Sequence, residues 1–345
     1  MPTRRAWEHE IEPWFIRNGL PYFVPSERAR AKDALRPRRA LPLLALVVLA
    51  AVAASAALTW LTEEASAAPA TLTTVGLLAA AAYAVTALRA RPILGWALRR
   101  TRSSLRQLLP MVTRALPLLL LFVTFLFINA EVWQLSAELD GPVMWLTVLL
   151  FAVIAVGFLL VRLPEEVDKV DDFIDLDLVR RATRRTPIEQ PVAELLDARG
   201  EELPLDEYGD VPGYERWNLI LVLLVTQVAQ VLLLSLAVLG FFLVFGGIVM
   251  EAGVQEAWTA QDRVHHLPYL DNLSVELVQV SVFLASFSGL YFTVAVMTDE
   301  TYRVQFFSEV LTELERAVGV RAGYLALRGA AEPATVDDGA TPATD

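Results

Sequence analysis

The chain has 345 residues, 55% of them hydrophobic, gathered into long uncharged blocks rather than interspersed with charge as in a soluble domain. Cysteine is absent, which excludes disulfides, thiolate nucleophiles and cysteine metal sites. The net charge of −11 arises away from the membrane-proximal basic stretches and implies no nucleic-acid partner.

Residues 1–40 mix charge with the aromatic clusters Trp14-Phe15 and Tyr22-Phe23 and end in Arg36-Pro37-Arg38-Arg39. This composition predicts a cytoplasmic arm on the bilayer, its aromatics at headgroup depth and its arginines on anionic lipid. The alternative is packing against the protein's own cytoplasmic loops.

Residues 41–162 hold four expected spans: helix 1 near 41–61, helix 2 near 68–88, helix 3 near 116–134 and helix 4 near 143–161. Helix 3 is the clearest, with sixteen uncharged residues between Arg114 and Glu131. Adding Val132 and Trp133 brings it to roughly the 20 residues that cross a hydrocarbon core. The loop 89–114 carries seven arginines and no acid, so an interfacial helix is expected there, with Arg99, Arg100 and Arg102 on anionic headgroups.

The acidic segment 163–216 follows a stop at Leu163-Pro164. The recurrence of Val167, Val170, Phe173 or Ile174, and Leu178 predicts an amphipathic helix, Val192 to Ala198 a second, and Pro204 to Gly213 a loop. Residues 217–298 carry helices 5 and 6 around an external loop, 251–276. Helix 5, from Trp217 to Met250, exceeds a core of about 30 Å, so Gly240, Gly246 and Gly247 are candidate bends. A cytoplasmic helix follows over 299–328, and 329–345 reads as a disordered tail.

Counted from the N-terminus between these spans, Lys plus Arg run nine, none, seven, none, eight, one and four. The positive-inside rule then puts both termini in the cytoplasm. The fold class is all-α: a polytopic membrane protein with six transmembrane helices and cytoplasmic amphipathic helices. Lys32 and Lys169 are the two lysines among 29 basic residues, a bias that suggests a high-GC genome and a bacterial plasma membrane.

No charged residue lies inside a span, which argues against proton relays and ion-coupled pumps. The polar candidates are neutral: Thr124 and Asn129 on helix 3, Gln227 and Gln230 on helix 5, and Ser281, Ser288 and Tyr291 on helix 6. We read them as interhelical hydrogen bonds, with a polar conduit as the alternative. Asp171, Asp172 and Asp175 resemble a DDxxD motif, whose carboxylates would hold Mg²⁺ against a diphosphate; the competing reading is the solvated face of a helix. His265-His266 reads as solvent-exposed loop rather than a metal cluster.

Val304, Phe307, Leu311, Leu314 and Val318 form a short heptad seam that could join copies of the chain or pack on the helix at Val167 to Leu178. The expected partners are therefore membrane lipid and a possible second copy or membrane partner, with no cofactor. Trp14-Phe15 through Gly19-Leu20-Pro21-Tyr22-Phe23, and Ala115-Leu116-Pro117 to Ala130-Glu131-Val132-Trp133-Gln134, resemble multi-pass membrane proteins of actinobacteria. That family has no known activity, so the resemblance carries over no functional residue. A non-catalytic scaffold or partner subunit is the expected function; a channel or uncoupled transporter, and a Mg-dependent enzyme acting on a diphosphate lipid, are the alternatives.

Overall fold

The computed structural model describes residues 4–62, 67–86, 90–99, 119–139, 141–171, 174–267, 270–298 and 300–331. The arm folds as α1 (Arg4–Arg17), a 3-10 turn at Pro21–Phe23 and α2 (Pro25–Ala34). Pro25 sits in the first turn of α2, where its missing N–H costs nothing. The hairpin α3 (Pro37–Thr62) and α4 (Ala67–Thr86) follows, then a helix over 91–99 (α5). Next come α6 (Leu119–Phe127), α7 (Ala130–Ala137) and the long α8 (Gly141–Asp171). The polar segment forms α9 (Leu176–Thr183), α10 (Glu189–Arg199) and α11 (Leu205–Gly209). The last part comprises α12 (Gly213–Val249), α13 (Ala252–Thr259), a hairpin of β1 (His266–Leu267) and β2 (Leu270–Ser274), α14 (Val275–Thr298) and α15 (Glu300–Ala331).

Among the described residues, five helices are long and apolar enough to cross a membrane: α3, α4, α8, α12 and α14. The pair α6 and α7 qualifies together but is bent by 74°. Contacts at the two ends of the molecule bear on this pair. Tyr83 near the end of α4 donates its hydroxyl to the Ala34 carbonyl, so α4 finishes beside the arm. At the opposite, far end, Trp133 of α7 meets Trp258 of α13, and Gln279 donates to the Leu139 carbonyl. Thr86 and Ala130 thus stand at opposite ends of the molecule, and with the bent pair counted as one span the candidates number six.

Helix 3 does not run unbroken to Trp133; it stops at Phe127. In a continuous helix the Glu131 N–H would donate to the Phe127 carbonyl. Here that N–H donates instead to the Asn129 side-chain oxygen at 2.8 Å, and the Phe127 carbonyl receives the Trp133 indole N–H at 2.7 Å. Both groups orphaned by the break are thus satisfied, and the fully buried Trp133 fixes the bend by packing edge-on against Phe127.

Helices α8, α12 and α14 pack on one another to form the membrane body, and Phe127 of α6 stacks on Phe242 of α12. Helix α8 does not stop at Pro164 but continues to Asp171. Proline removes one helical hydrogen bond, yet Leu163 and Val167 are fully buried, and buried Glu166 is held by Lys169 and Arg162, so packing overrides the break. Helix α12 is likewise unbroken over 37 residues, about 55 Å. Gly246 is a close-packing point rather than a hinge: a Cβ there would lie 2.3 Å from Leu277 and 3.1 Å from Phe127.

The arm end is a packed domain, and of the two readings of the arm its aromatics follow packing against the protein's own segments. Trp7, Ile11, Phe15, Tyr22 and Phe23 are buried, with Trp7 and Phe15 edge-on to Tyr324 of α15. Helix α15 lies on α9, where a Cβ at Gly319 would meet Ala182 at 2.6 Å. Of the heptad seam, Leu314 and Val318 are buried within the chain and Leu311 is half-buried against the same core. The side chains of Val304 and Phe307 lie outside the described residues, as do residues 332–345 of the tail expected over 329–345, whose first three residues belong to α15 instead. The segment 204–213 contains the short α11 rather than loop alone, and the external loop is built from α13 and the hairpin.

Candidate functional site

The neutral polar residues of the spans do not converge. Asn129 is the cap at the break, and Thr124 is half-buried. Ser288 donates to the Leu284 carbonyl of its own helix, and Tyr291 lies exposed, stacked on Phe122 at 5.2 Å. Gln227 and Ser281 are fully buried with no hydrogen-bond partner for either amide atom of Gln227 or for the Ser281 hydroxyl; the Gln230 carbonyl oxygen is also unpartnered.

Two close contacts set the register of α12 against α14. Gly246 faces Leu277, and Gly289 faces Ser235. Ser281 therefore sits at the depth of Phe242, about 22 Å along the helix from Gln227. Leu234, Val238 and Phe242, all buried, fill the interval. The orphaned groups are separated by apolar packing, and interhelical hydrogen bonds from Gln227 are not formed.

The strongest electrostatic feature lies at the arm end. Buried Arg321 donates to Glu215 at 2.6 Å and to the Tyr208 carbonyl at 2.7 Å. Glu215 also receives Arg28 of α2 at 2.8 Å. One carboxylate at the head of α12 thereby ties together the arm, the polar segment and α15. Nearby, buried Asn218 accepts from the Tyr22 N–H and donates to the Gly19 carbonyl, both at 2.8 Å. Burial, reinforced by the neighbouring Tyr214, pushes the Tyr22 phenol above its ordinary pKa. Burial does the same at Tyr324, partly offset by Arg328.

At the far end, buried Glu276 accepts the His265 backbone N–H and contacts its ring Nδ1 at 2.8 Å. Ser274 caps α14 by accepting the Leu277 N–H at 2.9 Å and donates to Gln255, whose amide reaches the Met250 carbonyl at 3.0 Å. These bonds close the hairpin over the end of the bundle. His265 and His266 are exposed.

Asp175 caps α9 by accepting the Leu178 N–H at 2.5 Å, while the side chain of Asp171 and the whole of Asp172 lie outside the described residues. No group of three His, Cys, Asp or Glu among the described residues could hold a metal. Arg99 is exposed and donates to the Arg17 carbonyl at 3.2 Å; Arg100 and Arg102 lie outside the described residues. On α5, Ile93 and Ala97 are buried while Leu94 and Leu98 are exposed.

Sequence reasoning missed the Arg28, Glu215 and Arg321 cluster, because its members are too far apart in the chain for any spacing to link them. Comparison with protein-family models, curated proteins and solved structures gave no match. The function must therefore be argued from the molecule itself, which is an all-α membrane-embedded protein.

Proposed function

We propose that the chain is a non-catalytic scaffold or partner subunit of the plasma membrane, oriented with its arm end in the cytoplasm. Charge supports the orientation, since by sequence 28 of the 29 basic residues fall in the segments expected on the arm's side of the spans. The observation that carries the scaffold reading is the hairpin α3 and α4, of whose spanning windows only 11% and 6% is buried. Among the described residues α4 packs on α8, with a Trp145 to Thr74 hydrogen bond, and Tyr83 joins Ala34 of the arm. A pair of spans that adds so little to its own bundle is suited to engage another membrane helix, and its run from Ala79 to Ala82 permits close backbone approach.

A photoreactive residue placed at Leu49 or Leu78, both exposed on the hairpin, is expected to give one discrete adduct in cells. The same group at exposed Val161 on α8 is expected to give only lipid adducts. Vesicles holding the purified protein are expected to leak monovalent ions no faster than empty ones. Flux above that background, or lipid adducts alone from the hairpin, overturns the reading.

A further inference from the structure

Between the arm and the head of α12 lies a cavity of about 500 Å³ lined, among the described residues, by Tyr22, Leu35, Gly213, Tyr214, Trp217 and Leu221. We propose that it is a binding site for one anionic phospholipid of the arm-end leaflet. The site and its test are independent of the scaffold reading.

Depth is the first argument. Leu35 immediately precedes the apolar span α3, and Trp217 stands where the charged turn of Glu215 and Arg216 gives way to the apolar run of α12. The cavity thus lies where chain passes from water into lipid. Trp217 is 54% exposed and Leu35 is 45% exposed, so both leave apolar surface open beside the cavity. Indole and phenol rings prefer this zone because their bodies are apolar and their tips polar.

Shape is the second. Tyr214 stands edge-on to Tyr22 with centroids 6.4 Å apart, giving the mouth an aromatic wall, while Leu221, one turn beyond Trp217, makes the inner lining aliphatic. Gly213, with φ +62°, starts the helix without a side chain at the rim. Glycerol and the first methylenes of an acyl chain match this order of polar mouth and apolar floor.

Charge is the third. Arg36 and Arg38, one and three residues beyond Leu35, are exposed. Arg36 is bridged to Asp33 at 3.0 Å, which leaves its guanidinium 71% exposed and able to meet a phosphate as well. Glu215, two residues before Trp217, is already neutralised by Arg28 and Arg321 and does not repel an anion. A zwitterionic lipid would satisfy the apolar floor but would leave the excess positive charge of the rim unmatched.

The test uses the fluorescence of Trp217. The full chain is reconstituted in phosphatidylcholine vesicles carrying brominated phosphatidylglycerol or brominated phosphatidylcholine at equal mole fraction. The Trp217 signal is the difference between wild type and Trp217→Phe. Phosphatidylglycerol is expected to quench at a several-fold lower mole fraction, each rim arginine contributing about fivefold. Arg36→Gln with Arg38→Gln is expected to abolish the preference with the circular dichroism spectrum unchanged. Equal quenching by the two lipids in wild type assigns the cavity to bulk lipid and overturns the proposal, as does the absence of quenching by either. A preference that survives the double substitution overturns the role of the rim.

Discussion

Helices α4 and α14 are both apolar enough to span a membrane, yet 6% of one and 50% of the other is buried within the chain. Hydropathy reports only the solvent that a helix can tolerate, and lipid tails are as apolar as leucine, so it cannot distinguish a lipid-facing helix from a packed one. Backbone approach can. Gly76 of α4 has open space where a Cβ would be, whereas Gly289 of α14 would drive one to 2.4 Å from the Ser235 hydroxyl and Gly246 of α12 one into Leu277 and Phe127. The molecule is therefore a tightly packed body carrying a peripheral hairpin, and substitutions should divide along that line.

The largest effect is expected where the body is tied to the arm. Glu215→Ala strips Arg321 of its carboxylate in a buried site, a loss of about 3–5 kcal/mol. It should lower the thermal midpoint of the purified protein sharply and expose the arm to protease, while helicity from the hairpin persists. If the midpoint stays within a degree of wild type, the arm end is not part of the cooperative body.

Glycine substitution makes the comparison directly. Gly246→Ala is expected to cost about 1–3 kcal/mol, because neither buried Leu277 nor buried Phe127 has room to yield. Gly76→Ala should be neutral or stabilise by up to about 1 kcal/mol, since alanine reduces backbone freedom without meeting any atom. Matched thermal scans of the two variants check this. Equal destabilisation would mean that the hairpin is packed as tightly as the body.

Inside the body, Gln227→Leu is expected to raise stability by about 1–2 kcal/mol, because it removes a buried amide whose hydrogen-bonding groups are unmatched. A fall in stability would instead reveal a partner for the amide, and a loss of ion flux would revive the polar conduit.

These outcomes bear on what was legible in the sequence. The spans were, since an uncharged run of sufficient length has few other homes; the contact at Gly289, where a Cβ would meet Ser235, was not read from it. The bend at Asn129 was hidden by the very apolarity that marked the span, although Asn129 followed by Glu131 is a cap signal that length alone overrode. The orphaned Gln227 could not have been foreseen, because spacing shows that two amides share a face but not what lies opposite. The destination of the arm's aromatics was equally hidden: bilayer and protein core accept the same rings.

The smallest expected effect is one of pH, and it falls on the arm. Tyr22 and Tyr324 have pKa values raised above their ordinary 10.0, chiefly because burial disfavours the phenolate. A raised acid pKa means that the folded state holds its proton more tightly than the unfolded one. The stabilisation is therefore complete below pH 10 and is lost as pH climbs through the folded values. Above that range the arm should loosen from α15 while the hairpin, whose contacts do not involve these rings, stays as it was. Trp7, edge-on to Tyr324 at 5.7 Å, is a suitable reporter. Its emission should shift on alkaline titration of wild type, and the shift should move to higher pH in Tyr324→Phe, which keeps the ring and removes the proton. If wild type and Tyr324→Phe titrate alike, phenol burial does not hold the arm, and the Glu215 cluster, the Asn218 hydrogen bonds and ring packing join it to the body.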